Sequence, residues 1–342
     1  MRAAVVRRYN KVKIIDIPVP KPKENEVLIK IDACGVCGSD FIEAQVWAKN
    51  WKRFGHEIAA TVAETGESVT GISVGDQVVV ALSVPCGTCT PCITGHPRKC
   101  NRLIVVEQGG FAEYLLVKDY RLLYKIDPVL PAELVCLTEP LTVILDAFQL
   151  VNIQARDNLL VVGGGNIGCM SLLAAKALGI NVLGVLGRSI DSRLTASLDA
   201  AGGSFFPWHR FMSMIVGVSA TLKQRLSELS GKLFVLHTAP PLYISKYIDA
   251  LPYDSTIVNI GLSASRKKNA IKFDASRLIF KRIQLMSAFP VPCMHLSQAV
   301  SLIREHSALF SLLSTKQVSL EQLPDVIGSS KGTRSKIVIK IY

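Results

Sequence analysis

Four closely spaced cysteines form the most chemically specific pattern in this sequence. They read Cys86-x2-Cys89-x2-Cys92-x7-Cys100, in a stretch rich in glycine, proline and threonine. Four thiolates in one loop of about fifteen residues can surround a tetrahedral Zn2+ without help from the rest of the fold. Because four protein ligands fill the tetrahedron, the spacing predicts a structural zinc site. A redox-active cluster and a set of free thiols are the alternatives.

A second set of metal-binding residue types lies upstream and is more dispersed. Cys37 begins Cys-Gly-Ser-Asp, and His56 and Glu57 end the sequence Gly-His-Glu. A catalytic zinc site uses about three protein ligands and keeps one position for water or substrate. A lone histidine is more often a satisfied core residue, however, and a lone cysteine usually packs. The residues alone therefore leave a catalytic metal site and ordinary packing about equally open.

A glycine-rich turn further along the chain is typical of dinucleotide binding. Gly163-x-Gly165-x-x-Gly168 follows a short apolar strand and precedes a predicted helix. In this setting Gly163 permits the tight turn, Gly165 lets a phosphate approach the backbone, and Gly168 allows close helix packing. The positive end of the helix, which includes Asn166 and Ile167, then faces the pyrophosphate. A glycine turn without a ligand is the alternative.

The end of the next predicted strand indicates which nicotinamide cofactor binds. An NAD site places an Asp or Glu about 20 residues after the glycines, where it holds the ribose hydroxyls. Here the strand is followed by a glycine that leaves room for a 2′-phosphate, an arginine that can pair with it and a serine that can donate a hydrogen bond. These residues, with a second arginine one turn later, are Gly187, Arg188, Ser189 and Arg193. The nearest acid, Asp191, lies past the strand end, so the sequence favours NADP(H), unless Arg188 is only a solvated cation.

Two patterns of secondary structure divide the chain. Residues 1–117 read as short β-strands separated by glycine and proline turns, with the possible zinc ligands between them. A predicted helix over Pro131–Leu145 then leads to alternating strands and helices, which predict a parallel, doubly wound sheet. The predicted elements of that part are strands over 158–162, 181–186, 232–236 and 256–260 and a helix over about 167–178. A helix over Leu296–Glu305 and a strand over Ser335–Ile341 follow, and that strand is expected to return to the N-terminal β domain.

Length and composition indicate a two-domain protein of the cytoplasm. A chain of 342 residues exceeds the usual size of one hydrophobic core. No apolar run reaches the roughly 18–20 residues of a membrane span, and the N-terminus lacks the apolar segment of a signal peptide. The net charge of +12 arises from dispersed lysines and arginines rather than from a recognisable motif. We therefore expect a basic surface without a nucleic-acid or membrane partner.

Taken together, these motifs resemble the zinc-dependent medium-chain dehydrogenase/reductase superfamily, and the resemblance covers nearly the whole chain. It rests on Cys37-Gly-Ser-Asp40, Gly55-His56-Glu57, the four-cysteine lobe, Glu139-Pro140-Leu141 and the glycine turn, in that order. The Glu-Pro-Leu element resembles the polyol, sugar and threonine dehydrogenase branch. The resemblance implies an α/β protein with a GroES-like β-rich catalytic domain and a Rossmann cofactor domain. The expected boundaries are 1–152, with a zinc lobe over about 84–102, then 153–283, and a C-terminal return over 284–342.

The same resemblance implies roles for individual residues. Cys37, His56 and Glu139 would bind a catalytic zinc, so that the chain would hold two zinc ions. Glu57 would be a nearby carboxylate that exchanges with water on the metal, and Ser39 would relay a proton to or from the substrate oxygen. Two segments that flank the nicotinamide in such proteins correspond to Val258–Gly261 and Ser287–Phe289. Members of the superfamily are commonly dimers or tetramers.

The sequence also departs from the superfamily pattern near the substrate. Ile42 stands where many relatives have a histidine that ends the proton relay, and the segment between Cys37 and His56 is shorter than in most relatives. Trp47 and Trp51 in this segment form a wall for the substrate or pack against the zinc loops. The predicted function is an NADP(H)-dependent zinc oxidoreductase for a secondary alcohol or ketone, such as a polyol, sugar, cyclitol or small ketone. An NAD-linked polyol or threonine dehydrogenase and a non-catalytic zinc- and nucleotide-binding protein are the alternatives.

Overall fold

The computed structural model describes residues 1–211, 214–313, 315–329 and 335–341. Its strands are β1 (Arg2–Arg7), β2 (Lys11–Asp16), β3 (Val27–Gly35), β4 (Lys52–Arg53), β5 (Glu57–Thr65), β6 (Gln77–Val80), β7 (Ser83–Val84), β8 (Ile104–Val105), β9 (Tyr114–Val117), β10 (Leu123–Lys125), β11 (Asn158–Val162), β12 (Asn181–Gly187), β13 (Ser204–Phe211), β14 (Met214–Val218), β15 (Leu233–His237), β16 (Thr256–Asn259), β17 (Gln284–Ser287), β18 (Thr315–Ser319) and β19 (Lys336–Lys340). Its α-helices are α1 (Gly38–Ile42), α2 (Thr90–Ile93), α3 (Ala132–Val135), α4 (Thr138–Leu150), α5 (Asn166–Ala177), α6 (Ser192–Ala201), α7 (Ala220–Ser227), α8 (Ser276–Lys281), α9 (Leu296–Glu305), α10 (Ser307–Phe310) and α11 (Leu323–Gly328). Short 3-10 segments occupy Pro97–Lys99, Tyr120–Leu122, Pro241–Lys246, Ile248–Ala250, Arg266–Asn269, Ser311–Leu313 and Leu320–Gln322.

The chain forms two compact units. The first contains Met1–Thr142, Pro290–Ser307 and Ser314–Tyr342, and the second contains Val143–Phe289 and Ala308–Leu313. The chain therefore passes between units within α4 and again after β17, whereas the sequence-based boundaries were at 152/153 and 283/284. A continuous apolar helix gives no compositional sign of such a transition.

The first unit is built around a sheet with the strand order β10-β6-β5-β3-β19-β18, and β9 also pairs with β3. Its neighbours are antiparallel except for the parallel pair β18 and β19. Strand β19 pairs with β3, as predicted for the end of the chain. Apolar side chains such as Ile29, Ile31 and Ile58 are fully buried in this core. The sheet therefore fixes β3 and β5 side by side, which matters for the site below.

The second unit is the predicted doubly wound sheet, with the strand order β14-β13-β12-β11-β15-β16-β17. All neighbours from β13 to β17 are parallel, and β14 adds an antiparallel edge. Strand β11 is buried at every position, which explains its uninterrupted apolar sequence. The chain reverses its direction of winding between β11 and β15. In sheets of this kind, ligands bind outside the carboxyl ends of the strands at that reversal.

Several elements differ from the sequence-based expectation. The helix expected over Pro131–Leu145 is two helices, because the chain turns at Cys136 and Leu137 between α3 and α4. Strands β13, β14 and β17 were not predicted, and neither was the π-helical turn Glu43–Trp47 after α1. Within the described residues, no helix combines the length and apolar character needed to cross a membrane.

A buried histidine locks the chain at the end of β15. His237 is fully buried, with its Nδ1 3.0 Å from the Tyr247 hydroxyl and its Nε2 3.2 Å from the Pro240 carbonyl oxygen. Because a carbonyl only accepts hydrogen bonds, Nε2 carries the hydrogen and Nδ1 accepts from the tyrosine. Burial lowers the pKa of His237 to about 4. The native second unit therefore holds this imidazole neutral at neutral pH.

We expect His237 to make the second unit less stable in mild acid. The unfolded chain takes up this proton near pH 6.5 but the native unit only near pH 4, so the native state loses stability as the pH falls through this window. The loss is about 3 kcal/mol in the free energy of unfolding and is absent above the unfolded pKa. Trp208, whose ring is 6.3 Å from that of Tyr247, reports unfolding once Trp47 and Trp51 are replaced by phenylalanine. His237→Gln should remove this pH-dependent component, and replacement of the exposed His96 by glutamine should retain it. An equal loss in both proteins would contradict the assignment.

Candidate functional site

The first unit brings Cys37, His56 and Glu57 together, although the sequence separates them. Cys37 lies just after β3 and is the N-cap of α1, while Glu57 is the first residue of β5. Because β3 and β5 pair with Gly35 opposite Glu57, the two chain segments meet at the same end of the sheet. One donor atom from each of the three residues lies within 4.8 Å of the others. This spacing fits a single metal ion.

The approach to His56 depends on a glycine. Gly55 has a φ of +90°, and a Cβ atom there would lie 2.6 Å from the Phe111 ring. Phe111 in turn packs edge-on against Phe54, with ring centroids 4.8 Å apart. The backbone N–H groups of Gly109 and Gly110 donate to the Gly55 carbonyl. Both the left-handed backbone and the close ring therefore require the glycine of Gly-His-Glu.

His56 faces negative groups and lacks a hydrogen bond on one nitrogen. Its buried Nδ1 has no hydrogen-bond partner among the described residues and lies 3.7 Å from Asp40 Oδ1. Burial alone lowers the pKa of His56, but Cys37 and Asp40 outweigh this effect and raise it well above its ordinary value. Asp40 is itself held by the Cys37 backbone N–H, which donates to its Oδ2 over 2.8 Å. This carboxylate is placed to orient the imidazole, as carboxylates do beside metal-binding histidines.

Glu139 and Lys336 complete the charges of this cluster. Glu139 is buried in the first turn of α4, where burial raises its pKa to about 7, against the effect of His56. Lys336 is buried on β19 and forms an ion pair with Glu57. Four groups that can carry negative charge thus surround a histidine, with one buried ammonium beside them. A donor set of thiolate, imidazole and carboxylates is the chemistry that suits Zn2+.

The remaining residues expected near the substrate have different environments. Ser39 is partly exposed in the first turn of α1, and its hydroxyl makes no hydrogen bond within the described residues. Ile42 is buried and its aliphatic side chain has no hydrogen-bonding atom, so it cannot extend a proton relay. Trp47 and Trp51 keep 48% and 40% of their surface exposed, and the Lys13 ammonium lies 4.6 Å from the Trp51 ring centroid. The two indoles are thus accessible rather than packed into the core.

The four-cysteine lobe also has the geometry of a metal site. The Sγ atoms of Cys86, Cys89, Cys92 and Cys100 all lie within 4.8 Å of one another. The Cys89 sulfur is 3.4 Å from that of Cys92 and 3.7 Å from that of Cys100, far longer than a disulfide bond of about 2.05 Å. The Thr88 backbone N–H is the main reason that the pKa of Cys86 falls to about 5. Thiols held this close, one of them readily ionised, fit a tetrahedral cation.

The glycine turn of the second unit has the expected shape. Gly163 follows β11 with a φ of +111°, and a Cβ atom there would lie 2.6 Å from Thr238 Oγ1. A Cβ on Gly168 would lie 1.9 Å from the Gly163 carbonyl oxygen, so only glycine lets α5 start this close to β11. Gly165 is the N-cap of α5, and a Cβ there would meet nothing within 4 Å. The free space beside Gly165, at the helix N-terminus, can accept a phosphate.

The residues at the tip of β12 divide into exposed and buried groups. Gly187 is buried at the strand end, whereas Arg188 and Ser189 are exposed; Arg188 makes no hydrogen bond or ion pair within the described residues. Asp191 caps α6, because its Oδ1 accepts from the Leu194 N–H over 2.9 Å. Arg193 is buried, bonds to Asn166 Oδ1 and lies 3.6 Å from Asp191 Oδ2. Its Nη2 also donates to the Gly164 carbonyl oxygen over 3.4 Å, so this arginine stabilises the glycine turn.

Two further residues lie just after strands of the same sheet: Thr238 after β15 and Gly261 after β16. A Cβ on Gly261 would lie 1.9 Å from the Ala239 carbonyl oxygen, and its N–H donates to the His237 carbonyl oxygen over 3.0 Å. Thr238 donates to the carbonyl oxygens of Val162 and Gly163. The cofactor residues proposed from the sequence therefore follow the carboxyl ends of strands in one sheet.

Sequence reasoning missed two residues, Thr238 beside the glycine turn and Lys336 beside Glu57. A lysine in the apolar segment Lys336-Ile-Val-Ile was the available signal for Lys336.

Comparison with known proteins finds related dehydrogenases and one matching domain family. The alcohol dehydrogenase GroES-like domain family matches residues 23–128. The chain is 35% identical over 206 residues to an L-threonine 3-dehydrogenase of Bacillus velezensis, covering 56% of this chain and 58% of that protein. It is 33% identical over 211 residues to a sorbitol dehydrogenase of Bombyx mori, covering 58% and 59%. Residues 23–128 therefore carry an alcohol dehydrogenase GroES-like domain, and similarity to zinc-type dehydrogenases extends over about half of the chain.

The similarity to these proteins differs in extent between sequence and structure. The sequence matches span little more than half the length of these curated relatives. The fold similarity is broader, since the crystal structure of galactitol-1-phosphate dehydrogenase from Escherichia coli matches with a TM-score of 0.84. That match covers 99% of this chain and all of the other at 22% identity, and so supports the shared fold alone.

Proposed function

We propose that this protein is a zinc-dependent oxidoreductase that transfers hydride between NADP(H) and a secondary alcohol or its ketone. The observation that carries the proposal is the cluster of partly exposed Cys37 with buried His56 and Glu57, whose donor atoms lie within 4.8 Å of one another. The excess of negative groups around His56 favours a bound cation there, because buried negative charge is costly without a positive partner. The four-cysteine lobe would hold a second, structural zinc.

Each residue of the cluster would have a distinct task. Cys37, His56 and Glu139 would hold the metal, and Asp40 would keep the imidazole in the orientation needed to bind it. When bound, zinc supplies Lewis acidity toward the substrate oxygen and the nicotinamide supplies or accepts the hydride. Ser39, two residues after Cys37 and partly exposed, would give the proton to that oxygen or remove it. Because Ile42 has no group that can carry a proton, water or Asp40 would carry the proton onward.

The cofactor preference rests on the charges at the tip of β12. Arg188 and Ser189 are exposed and free to contact a 2′-phosphate, while Asp191 is engaged as a helix cap and by Arg193. A free acid that would bind the ribose hydroxyls of NAD is therefore missing from the described tip. We infer that Arg188 and Ser189 bind the phosphate, with Gly187 leaving room for it, and that Arg193 supports the glycine turn.

The substrate class follows from the Glu139-Pro140-Leu141 motif and from the accessible indoles. A polyol, sugar or cyclitol would stack its apolar face on Trp47 or Trp51, and a small ketone is the next choice. Similarity to an L-threonine 3-dehydrogenase favours a second candidate, an NAD-linked threonine or polyol dehydrogenase. We further infer a cytoplasmic homodimer or homotetramer that binds neither nucleic acid nor membrane.

The test is a nicotinamide titration of the zinc-loaded protein, followed by fluorescence, with an assay of secondary alcohols and ketones. We expect two zinc ions per chain, turnover of a polyol, and binding of NADPH at least about tenfold tighter than NADH. Arg188→Ala should weaken NADPH binding about tenfold and leave NADH binding unchanged, because only the phosphate loses a partner. The control is Arg225→Ala, which removes an exposed arginine on α7. Equal affinities for both cofactors would reject the NADP(H) preference, and absence of turnover with both would reject the enzyme.

A further inference from the structure

The ion pair between Glu57 and Lys336 is the least expected feature of the candidate metal site. Both side chains are almost fully enclosed, with 1% and 4% of their surface exposed. The Lys336 ammonium bonds to the Glu57 carboxylate and donates to the Val36 carbonyl oxygen over 3.1 Å. Burying two opposite charges gains little stability relative to an apolar pair, although losing one partner is costly. A gain in stability therefore does not explain why this ion pair is buried here.

The sheet is shaped to let these two side chains meet. Strands β19, β3 and β5 lie side by side, with Val338 opposite Gly35 and Gly35 opposite Glu57. A Cβ atom on Gly35 would lie 2.1 Å from Glu57 Oε2 and 3.1 Å from Lys336 Cε. The glycine thus leaves the space in which the lysine reaches across β3 to the glutamate. Any larger residue at this position would separate the pair.

Glu57 stands between two positive partners. One of its carboxylate oxygens lies within 4.8 Å of the donor atoms of Cys37 and His56, so it can reach a metal held there. Its Oε2 accepts a hydrogen bond from the Lys336 ammonium. If Glu57 also bound the metal, Cys37, His56, Glu139 and Glu57 would fill a tetrahedral site and exclude the substrate. A catalytic site needs one of these positions to stay open.

We propose that Lys336 is a positioning residue that holds Glu57 off the metal and so keeps one coordination position open for substrate. The inference rests on the proposed zinc site and adds a residue that acts on it through Glu57. The proposal also fits the charge of the site. Zn2+ alone would not neutralise all the negative groups around it, and the Lys336 ammonium neutralises one of them. Lysine at this position thereby favours release and exchange of the fourth ligand.

The test uses the full chain loaded with Co2+ and titrated with imidazole, a small ligand that enters an open metal position. The cobalt absorption bands change when imidazole binds, whereas the four-cysteine site has no position to offer. Lys336→Met should let Glu57 close the site, so the affinity for imidazole falls at least about tenfold. Lys336→Arg should keep the affinity of the original protein, since it keeps the charge. Adding Glu57→Gln to Lys336→Met should restore imidazole binding.

A merely structural lysine would give a different result. It would lower thermal stability without changing the affinity of the folded cobalt protein for imidazole, and that outcome would overturn the proposal. If Lys336→Met does not fold, Glu57→Gln in the original background decides the matter. We expect its affinities for Co2+ and imidazole to match those of the original protein, and a clear loss of Co2+ affinity would make Glu57 a permanent ligand and refute the inference. Binding of a single Co2+ per chain, at the four-cysteine lobe alone, would instead reject the proposed function itself.

Discussion

Replacing Cys37 with serine is expected to remove one of the two proposed zinc ions per chain and to lower the proposed alcohol turnover by about 10³-fold or more. The thiolate is the softest ligand of the cluster, and a serine hydroxyl at the same position binds Zn2+ poorly. Without the metal, the substrate oxygen loses a charge stabilisation of several kcal/mol in the transition state. Metal analysis of the purified protein and steady-state turnover measure both effects. The structural zinc should stay, because the four-cysteine lobe shares no ligand with this cluster.

The matched control for this substitution is Cys136→Ala. Cys136 is a fully buried thiol of the same unit, and burial raises its pKa to about 12, so it is a poor ligand. Its removal should leave both zinc ions in place and reduce only the stability of the fold, by about 1 kcal/mol. Two zinc ions and unchanged turnover in Cys37→Ser would show that the cluster is not the catalytic centre.

The two candidate metal sites differ in how far the sequence could predict them. The four cysteines of the lobe are local, so their spacing alone predicts that their sulfur atoms can converge, as they do. The other cluster depends on the register of β3 against β5, which places Gly35 opposite Glu57. No local pattern encodes that register. Residue types alone leave a catalytic metal site at Cys37 and His56 about as open as ordinary packing, and the resemblance to a family is what assigns both to one zinc ion.

Lys336 stands out in the sequence as a lysine in an apolar segment, but the sequence does not reveal its partners. It is 300 residues from Val36, whose carbonyl oxygen it contacts, and only the pairing of β19 with β3 brings them together. A lysine in an otherwise apolar strand normally reads as a solvated edge residue. Arg193 is similar, because its sequence position suggests a phosphate ligand while its side chain is buried against Asn166 and Asp191. Burial and pairing of charges are properties of the tertiary structure.

The fold was more accessible than these contacts. Strands with a continuous apolar sequence, such as β11, and the amphipathic helix α9 were predicted almost to the residue. The helix expected over Pro131–Leu145 failed because apolar periodicity continues across Cys136 and Leu137, where the backbone turns. Strand β13 lies at the far side of the sheet and carries a mixed sequence, Ser-Phe-Phe-Pro-Trp-His-Arg-Phe, with a proline that argues against a strand.

Gly165→Ala should abolish tight nucleotide binding without weakening the fold. The backbone of Gly165, with φ −76° and ψ −171°, suits alanine, and the added Cβ meets nothing within 4 Å. That same space is where a pyrophosphate must approach the N-terminus of α5. A methyl group there forces the phosphate outward and should weaken NADPH binding about 10- to 100-fold. Fluorescence titration measures the affinity, and thermal unfolding measures the stability.

Two further glycine variants separate a lost phosphate site from a damaged fold. Gly328→Ala adds a methyl group in open space on α11 of the other unit, and should change neither nucleotide affinity nor stability. Gly168→Ala places a Cβ 1.9 Å from the Gly163 carbonyl oxygen, so it should lower both together as α5 moves away from β11. Unchanged NADPH affinity in Gly165→Ala would mean that the cofactor does not bind at this turn. If the free space at the helix N-terminus holds the phosphates, both Gly165→Ala and Gly168→Ala should lose nucleotide affinity. Only Gly168→Ala should also lose stability.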